Sequence, residues 1–197
     1  MVYRKILNDL KQYKPGRQIE DIKKEYNLDN VIKLASNENP YGCSKKAEAV
    51  FKNYKTANLY PDNNCIKLRE KLSNYLNVEK ENLIFGNGST EIISMLSRAV
   101  LNKGDEIITC IPTFPMYALE AKIAEAKVIE VDLKHFKFDL DGILQKINKN
   151  TKIIYIANPN NPTRNDYNKK RTRRFFQKGS KRYICSNWWS ILWVCNK

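Results

Sequence analysis

Three short segments hold residue types that could do chemistry. Gly86-Asn87-Gly88-Ser89-Thr90-Glu91 places two glycines, two hydroxyls and a carboxylate where a helical pattern begins. Glycines permit a tight turn, and the free N–H groups and positive dipole end of a new helix favour a phosphate, to which Ser89 or Thr90 adds a hydroxyl. An ordinary capped turn has the same composition, and the segment matches neither the G-K-[ST] of a P-loop nor the G-x-G-x-x-G of a dinucleotide site. Asn158-Pro159-Asn160-Asn161-Pro162-Thr163 follows an apolar run. Its prolines stiffen the chain, and its amides could donate to an oxyanion or phenolate or simply close a turn. Pro112-Thr113-Phe114-Pro115-Met116-Tyr117 follows another apolar run and offers aromatics that could stack on a planar ligand or pack in a core.

Each segment stands at the exit of a strand-like run. Residues 83–85, 106–110, 127–133 and 152–157 have strand character. Helical periodicity covers 90–101, with Ile92, Ile93, Leu96 and Val100 on one face, then 116–125 and 139–147, the last opened by Asp139 as N-cap. This alternation predicts an α/β fold: a mostly parallel sheet flanked by helices, right-handed crossovers, and ligand chemistry at the C-terminal ends of the strands. Upstream, 45–55 and 63–77 have amphipathic periodicity, the second offering Ile66, Leu68, Leu72, Tyr75 and Leu76 for burial. Residues 1–30 form a polar arm, with a Pro15-Gly16 turn between two short helical pieces.

Composition sets the outer bounds. The chain has 197 residues, 42% hydrophobic, with a mean hydropathy of -0.59, enough apolar material for one soluble core and incompatible with collagen-like, mucin-like or wholly disordered chains. No apolar run approaches the roughly 20 residues of a membrane span, and the first residues lack a signal-peptide core, so a cytoplasmic protein without membrane contact is expected. Five cysteines without a C-x-x-C pair, and a single histidine, His135, predict free thiols and no metal site. The formal charge is +14, and its distribution is uneven. Residues 164–197 hold ten Lys or Arg against one acid, Asp166, together with all three tryptophans.

Taken in order, the three exit segments, with Leu34-Ala35-Ser36-Asn37-Glu38-Asn39-Pro40-Tyr41-Gly42 and Leu59-Tyr60-Pro61-Asp62 upstream, resemble the amino-terminal half of histidinol-phosphate aminotransferases. These are class I/II, fold type I enzymes that depend on pyridoxal 5'-phosphate. The resemblance covers about residues 1–163 and makes 31–163 the first half of the cofactor-binding domain. It implies that the backbone at Gly88, Ser89 and Thr90 holds the cofactor phosphate, that Phe114 stacks on the pyridine, and that Asn161 hydrogen-bonds the phenolic oxygen. Tyr60 would reach the phosphate bound by the other subunit of a homodimer, and Asn37 would lie near the substrate. The implied reaction moves an amino group between histidinol phosphate and 2-oxoglutarate, giving imidazole-acetol phosphate and glutamate, a step of histidine biosynthesis. An aromatic aminotransferase or a threonine-phosphate decarboxylase is the related alternative.

The resemblance stops after Thr163. The family continues N-P-T-G and later D-E-A-Y, whereas here Arg164-Asn165-Asp166-Tyr167 opens an unrelated basic stretch. Read one base later, with suitable synonymous codons, that stretch becomes GMIITKKELEDFFKKVPKDIYVVI, and with TGA encoding tryptophan it runs on through D-E-A-Y-Y-E. A single-base frameshift just after Thr163 is therefore expected. The family's pyridine-pairing aspartate and Schiff-base lysine both fall beyond this point, so no catalytic residue is assigned, and the chain is expected to be a truncated, inactive fragment whose cofactor binding is in doubt. The tail is expected to be poorly ordered and to leave the edge of strand 152–157 bare. The alternative from another class is a non-catalytic protein whose basic, aromatic-bearing tail binds nucleic acid.

Overall fold

The computed structural model describes residues 3–10, 13, 15–166, 175, 184–186 and 190–194. The chain divides into two compact units, Met1–Lys11 with Ile84–Lys197, and Gln12–Leu83.

The larger unit is built on a five-stranded sheet of order β2-β1-β3-β5-β4, with β1 Glu106–Ile111, β2 Lys127–Asp132, β3 Thr151–Ala157, β4 Ile184–Ser186 and β5 Ser190–Val194. β1 lies parallel between β2 and β3. Such central strands need apolar residues on both faces. Accordingly Ile107, Ile108, Cys110, Ile153, Ile154, Tyr155, Ile156 and Ala157 are all buried. β2, at one edge, keeps Lys127, Glu130 and Asp132 exposed, which blunts that edge against further pairing.

The expected helices form, α4 Ser89–Val100 one residue earlier at each end than its pattern and α5 Met116–Ile123 and α6 Leu140–Lys146 shorter than theirs. They bring Ile93 and Leu96, Met116 and Tyr117, and Leu140 and Ile143 into the core. Asp139 stands at the N-cap of α6, and its carboxylate meets Lys134 Nζ at 2.7 Å. Burial opposes the charged carboxylate, but Lys134 and the amides of Gly142 and Asp141 outweigh it and hold the Asp139 carboxyl below its ordinary range.

Two expectations are corrected here. Residues 83–85 form no strand: Leu83 is extended, but among the described residues no neighbour supplies a ladder. The far edge of β3 is not bare: β5 pairs antiparallel along it from Ile153↔Val194 to Ala157↔Ser190, and β4 pairs with β5. An apolar edge takes whatever strand the chain can offer, and 190–194 is the most strand-like run of the tail. The sheet is mixed as a result. The order of the rest of 164–197 lies outside the described residues.

The smaller unit carries α1 Ile19–Tyr26, α2 Lys45–Lys52 and α3 Ile66–Leu76. α1 and α3 each end on an asparagine in the left-handed region, Asn27 at φ 52° and Asn77 at φ 53°, a common helix stop. None of its described residues is buried. The burial expected of α3 is only partial: Leu72 and Leu76 are half-buried, while Ile66, Leu68 and Tyr75 are exposed. No helix among the described residues is long and apolar enough to cross a membrane.

Candidate functional site

The exits of β1 and β3 are locked to each other. Asn160, buried at 2% exposure, accepts a hydrogen bond from the Thr113 hydroxyl at 2.8 Å through Oδ1. Its Nδ2 donates to the Pro112 carbonyl at 3.1 Å and to Thr163 Oγ1 at 3.0 Å. The Thr163 hydroxyl in turn donates to the carbonyl of Phe136, in the turn after β2, at 2.8 Å. Parallel neighbours end side by side, so the three loops meet by topology, and this network fixes how they meet. Phe114 and Asn161, nominated from sequence, each stand one residue from the network, Phe114 half-buried and Asn161 exposed.

Beneath these loops runs an aromatic stack. The Phe114 ring meets Tyr117 edge-on at 5.7 Å, and Tyr117 lies flat on Tyr155 at 4.5 Å with 11° between the planes. The Tyr155 hydroxyl is 3.4 Å from Ser97 Oγ of α4, so the stack reaches from the β1 exit through β3 to that helix. Burial pushes the Tyr155 phenol up to about 12 despite the Ser97 contact, so it stays protonated and structural. Burial likewise pushes the Cys110 thiol up to about 12.

At the start of α4, Gly88 is the N-cap residue with φ 82° and ψ 173°, a backbone shape essentially reserved for glycine, and the space where a Cβ would project is open. At Gly86 a Cβ would approach Ile92 Cδ1 to 2.9 Å, so a larger residue there would have to push the Ile92 side chain aside. No side chain caps this helix, and Ser89 and Thr90 are exposed in its first turn. First-turn amides have no partner within a helix, so they face outward with the dipole. Glu91 folds back so that its Oε2 accepts from the Asn87 amide and, at 3.1 Å, from Asn87 Nδ2, holding the turn in shape.

Asn37 and Tyr60 belong to the smaller unit, where both are exposed. Asn37 has φ 53° in the turn at 36–37, and just after it Asn39 closes a second turn by accepting from the Tyr41 amide at 3.0 Å and donating to the Gly42 carbonyl at 3.1 Å. Asp62, two residues after Tyr60, holds the start of α3 by accepting from Ile66 N at 2.8 Å and Asn64 N at 2.9 Å. Those amides hold its carboxyl below the ordinary range.

Sequence reasoning missed two residues. Asn160 was passed over for its neighbour Asn161, since adjacent asparagines in one loop differ only in which way the fold turns them. Glu91 was readable, because a Glu three residues after the cap is the spacing of a capping box.

Comparison with known proteins identifies the family. The family described as Aminotransferase class I and II matches residues 29–184, and the chain belongs to that family. Within it, the chain is similar to the histidinol-phosphate aminotransferases of Bacillus subtilis subsp. natto, 50% identical over 159 residues, and of Bacillus cytotoxicus, 47% identical over 158 residues. Each match takes in 80% of this chain but only 44% and 43% of the relative, so the chain spans less than half the length of the curated relatives it matches. A solved structure of the Sinorhizobium meliloti histidinol-phosphate aminotransferase, in complex with pyridoxal-5'-phosphate, shares the fold with a TM-score of 0.79 at 19% identity. That likeness covers 89% of this chain and 47% of the other.

Proposed function

We propose that this chain is the cofactor-gripping half of a histidinol-phosphate aminotransferase, an enzyme that moves an amino group between histidinol phosphate and 2-oxoglutarate. The observation that carries the reading is the Thr113–Asn160 hydrogen bond of 2.8 Å, which sets Phe114 and Asn161 on joined loops in a stretch nearly half identical to such enzymes. The residues present fit a phosphorylated pyridine. The uncapped start of α4, with open space at Gly88, suits a dianion, Phe114 suits a flat ring, and the exposed Asn161 amide suits a phenolic oxygen.

Pyridoxal phosphate supplies, when bound, an aldehyde for the amino group and a ring that accepts electrons. The chain's own residues do the rest. The amides of Ser89 and Thr90 hold the phosphate, the Phe114 ring excludes water from one face of the pyridine, and Asn161 donates to the phenolic oxygen and so fixes the ring's rotation. Tyr60 serves the phosphate of a second subunit, which makes a homodimer the working form, and Asn37 stands by the substrate. We assign residues 31–163 to the cofactor-binding domain and 1–30 to an arm, and place the enzyme in the cytoplasm.

No lysine of 164–197 sits in a matching motif, so we assign no Schiff-base lysine and propose that these 197 residues do not carry out the transfer; whether they hold the cofactor is the first thing to measure. Titration of the full chain with pyridoxal phosphate, followed by intrinsic fluorescence, tests this: saturable binding that Asn161→Ala weakens is expected, and absence of binding refutes the cofactor reading. Borohydride treatment tests the lack of transfer, since cofactor fixed to any lysine overturns the proposed inactivity. The nucleotide sequence across codon 163 decides the frameshift, which requires TGA at Trp188, Trp189 and Trp193.

A further inference from the structure

We infer that Asn160 is a positioning residue, which sets the relation of Phe114 to Asn161 by tying together the exits of all three parallel strands. The inference rests on the cofactor reading above. A buried carboxamide can make two donations and accept at its oxygen, and Asn160 does all three, to partners on two different loops. Its backbone is engaged as well, the N–H donating to Asn165 O at 2.9 Å and the C=O accepting from Arg164 N at 2.6 Å. Through the Thr163 hydroxyl the network continues to Phe136, so the β2 exit is held too.

The polarity of this network leaves one arrangement. Nδ2 faces the Pro112 carbonyl and Oδ1 faces the Thr113 hydroxyl, so turning the amide over would set oxygen against oxygen. Each half of the tie lies one residue from a group assigned to the ring: Thr113 precedes Phe114, and Asn160 precedes Asn161. Consecutive Cα atoms are held about 3.8 Å apart by the planar peptide unit, so a displacement at the tie is felt at the next residue. Asn161 is the side chain that would touch the cofactor, and Asn160 acts through it.

Asn160→Asp keeps the size but places a carboxylate oxygen opposite the Pro112 carbonyl. Thr113→Val removes the partner hydroxyl at constant shape, and Thr113→Ser keeps it. In the full chain, Asn160→Asp and Thr113→Val are expected to weaken pyridoxal phosphate binding by about tenfold and to speed amide hydrogen exchange about tenfold in both 112–117 and 158–165. Exchange in β1 itself should stay unchanged, and Thr113→Ser should behave as the parent. Equal affinity for parent and variants overturns the inference, as does faster exchange spread through the whole sheet or confined to the substituted loop. If the parent chain does not bind pyridoxal phosphate, the cofactor reading fails. The exchange measurement still decides the tie: joint loosening of the two loops upholds it, and independent behaviour overturns it.

Discussion

The sheet around β1 and β3 and the helices of residues 12–83 both carry many apolar side chains, yet among the described residues only the first buries any fully. In the sheet unit, Ile107, Ile108, Ile153 and Ile154 are fully buried. In the helical unit, Ile32, Leu34, Tyr41, Phe51, Tyr60 and Tyr75 are each more than 70% exposed. The difference teaches what a periodic pattern can and cannot do. A central strand is covered by its own crossover helices, whose loops are short and whose backbone ladder holds them in register. An amphipathic helix has a face to bury but no built-in partner. The helices of 12–83 form on local signals, such as the Asp62 carboxylate at the start of α3 and the Asn27 and Asn77 stops, and their apolar faces are at most partly covered.

Thiol labelling gives the largest expected contrast between the two regions. Cys43 is exposed in the helical unit, whereas Cys110 is fully buried in β1 with its thiol pushed up to about 12. Labelling at neutral pH followed by mass spectrometry should modify Cys43 at least about a thousandfold faster, since Cys110 reacts only through opening of the core. Comparable rates would mean that the sheet unit is not a stable core. Truncation comes next: Ile107→Ala should cost about 2–5 kcal/mol in denaturant unfolding, and Leu34→Ala no more than about 0.5 kcal/mol. A large cost for Leu34→Ala would show that its face is covered in solution.

Smaller effects sharpen the comparison at single positions. Gly88→Ala meets no steric neighbour, so its cost is purely one of backbone shape, about 1–3 kcal/mol, read by thermal unfolding. An unchanged Tm would show that the turn is not held as described. The acid limb comes last. The Asp139 carboxyl is lowered in the folded chain, so its contribution is present above the ordinary carboxyl value of about 3.9 and is lost as pH falls through the lower folded value. Tm measured across that window should fall less steeply for Asp139→Asn. Lys134→Ala should have a smaller effect of the same sign, because the amides of Gly142 and Asp141 still favour the carboxylate. Glu25, lowered by its Arg17 partner on the open surface of the helical unit, should leave the acid limb unchanged when replaced by Gln.

Much of the sheet unit was legible because its signals are local. The runs of β1, β2 and β3, the three helices between and around them, and the turn chemistry at Gly88 depend on residues within a few positions of one another. The readings that missed each depended on a distant partner. Residues 83–85 have strand composition but no ladder among the described residues. The edge of β3 looked bare until β5 paired along it. Asn160 and Asn161 are the same residue type in the same loop, and one is buried while the other is exposed.

By itself, the order of residues determined which segments are strands and helices, where the glycine and asparagine turns must stand, and which side chains have chemistry suited to a phosphate, a ring and a phenolic oxygen. Periodicity, capping and backbone restriction act over a few residues and need no knowledge of the rest of the chain. Only the tertiary structure decided that the Thr113 hydroxyl would find the Asn160 amide 47 positions away, and that Tyr117 would lie on Tyr155. Contacts of that kind depend on how the strands are ordered in the sheet. That order comes from packing the whole core at once, and no short window of sequence contains it.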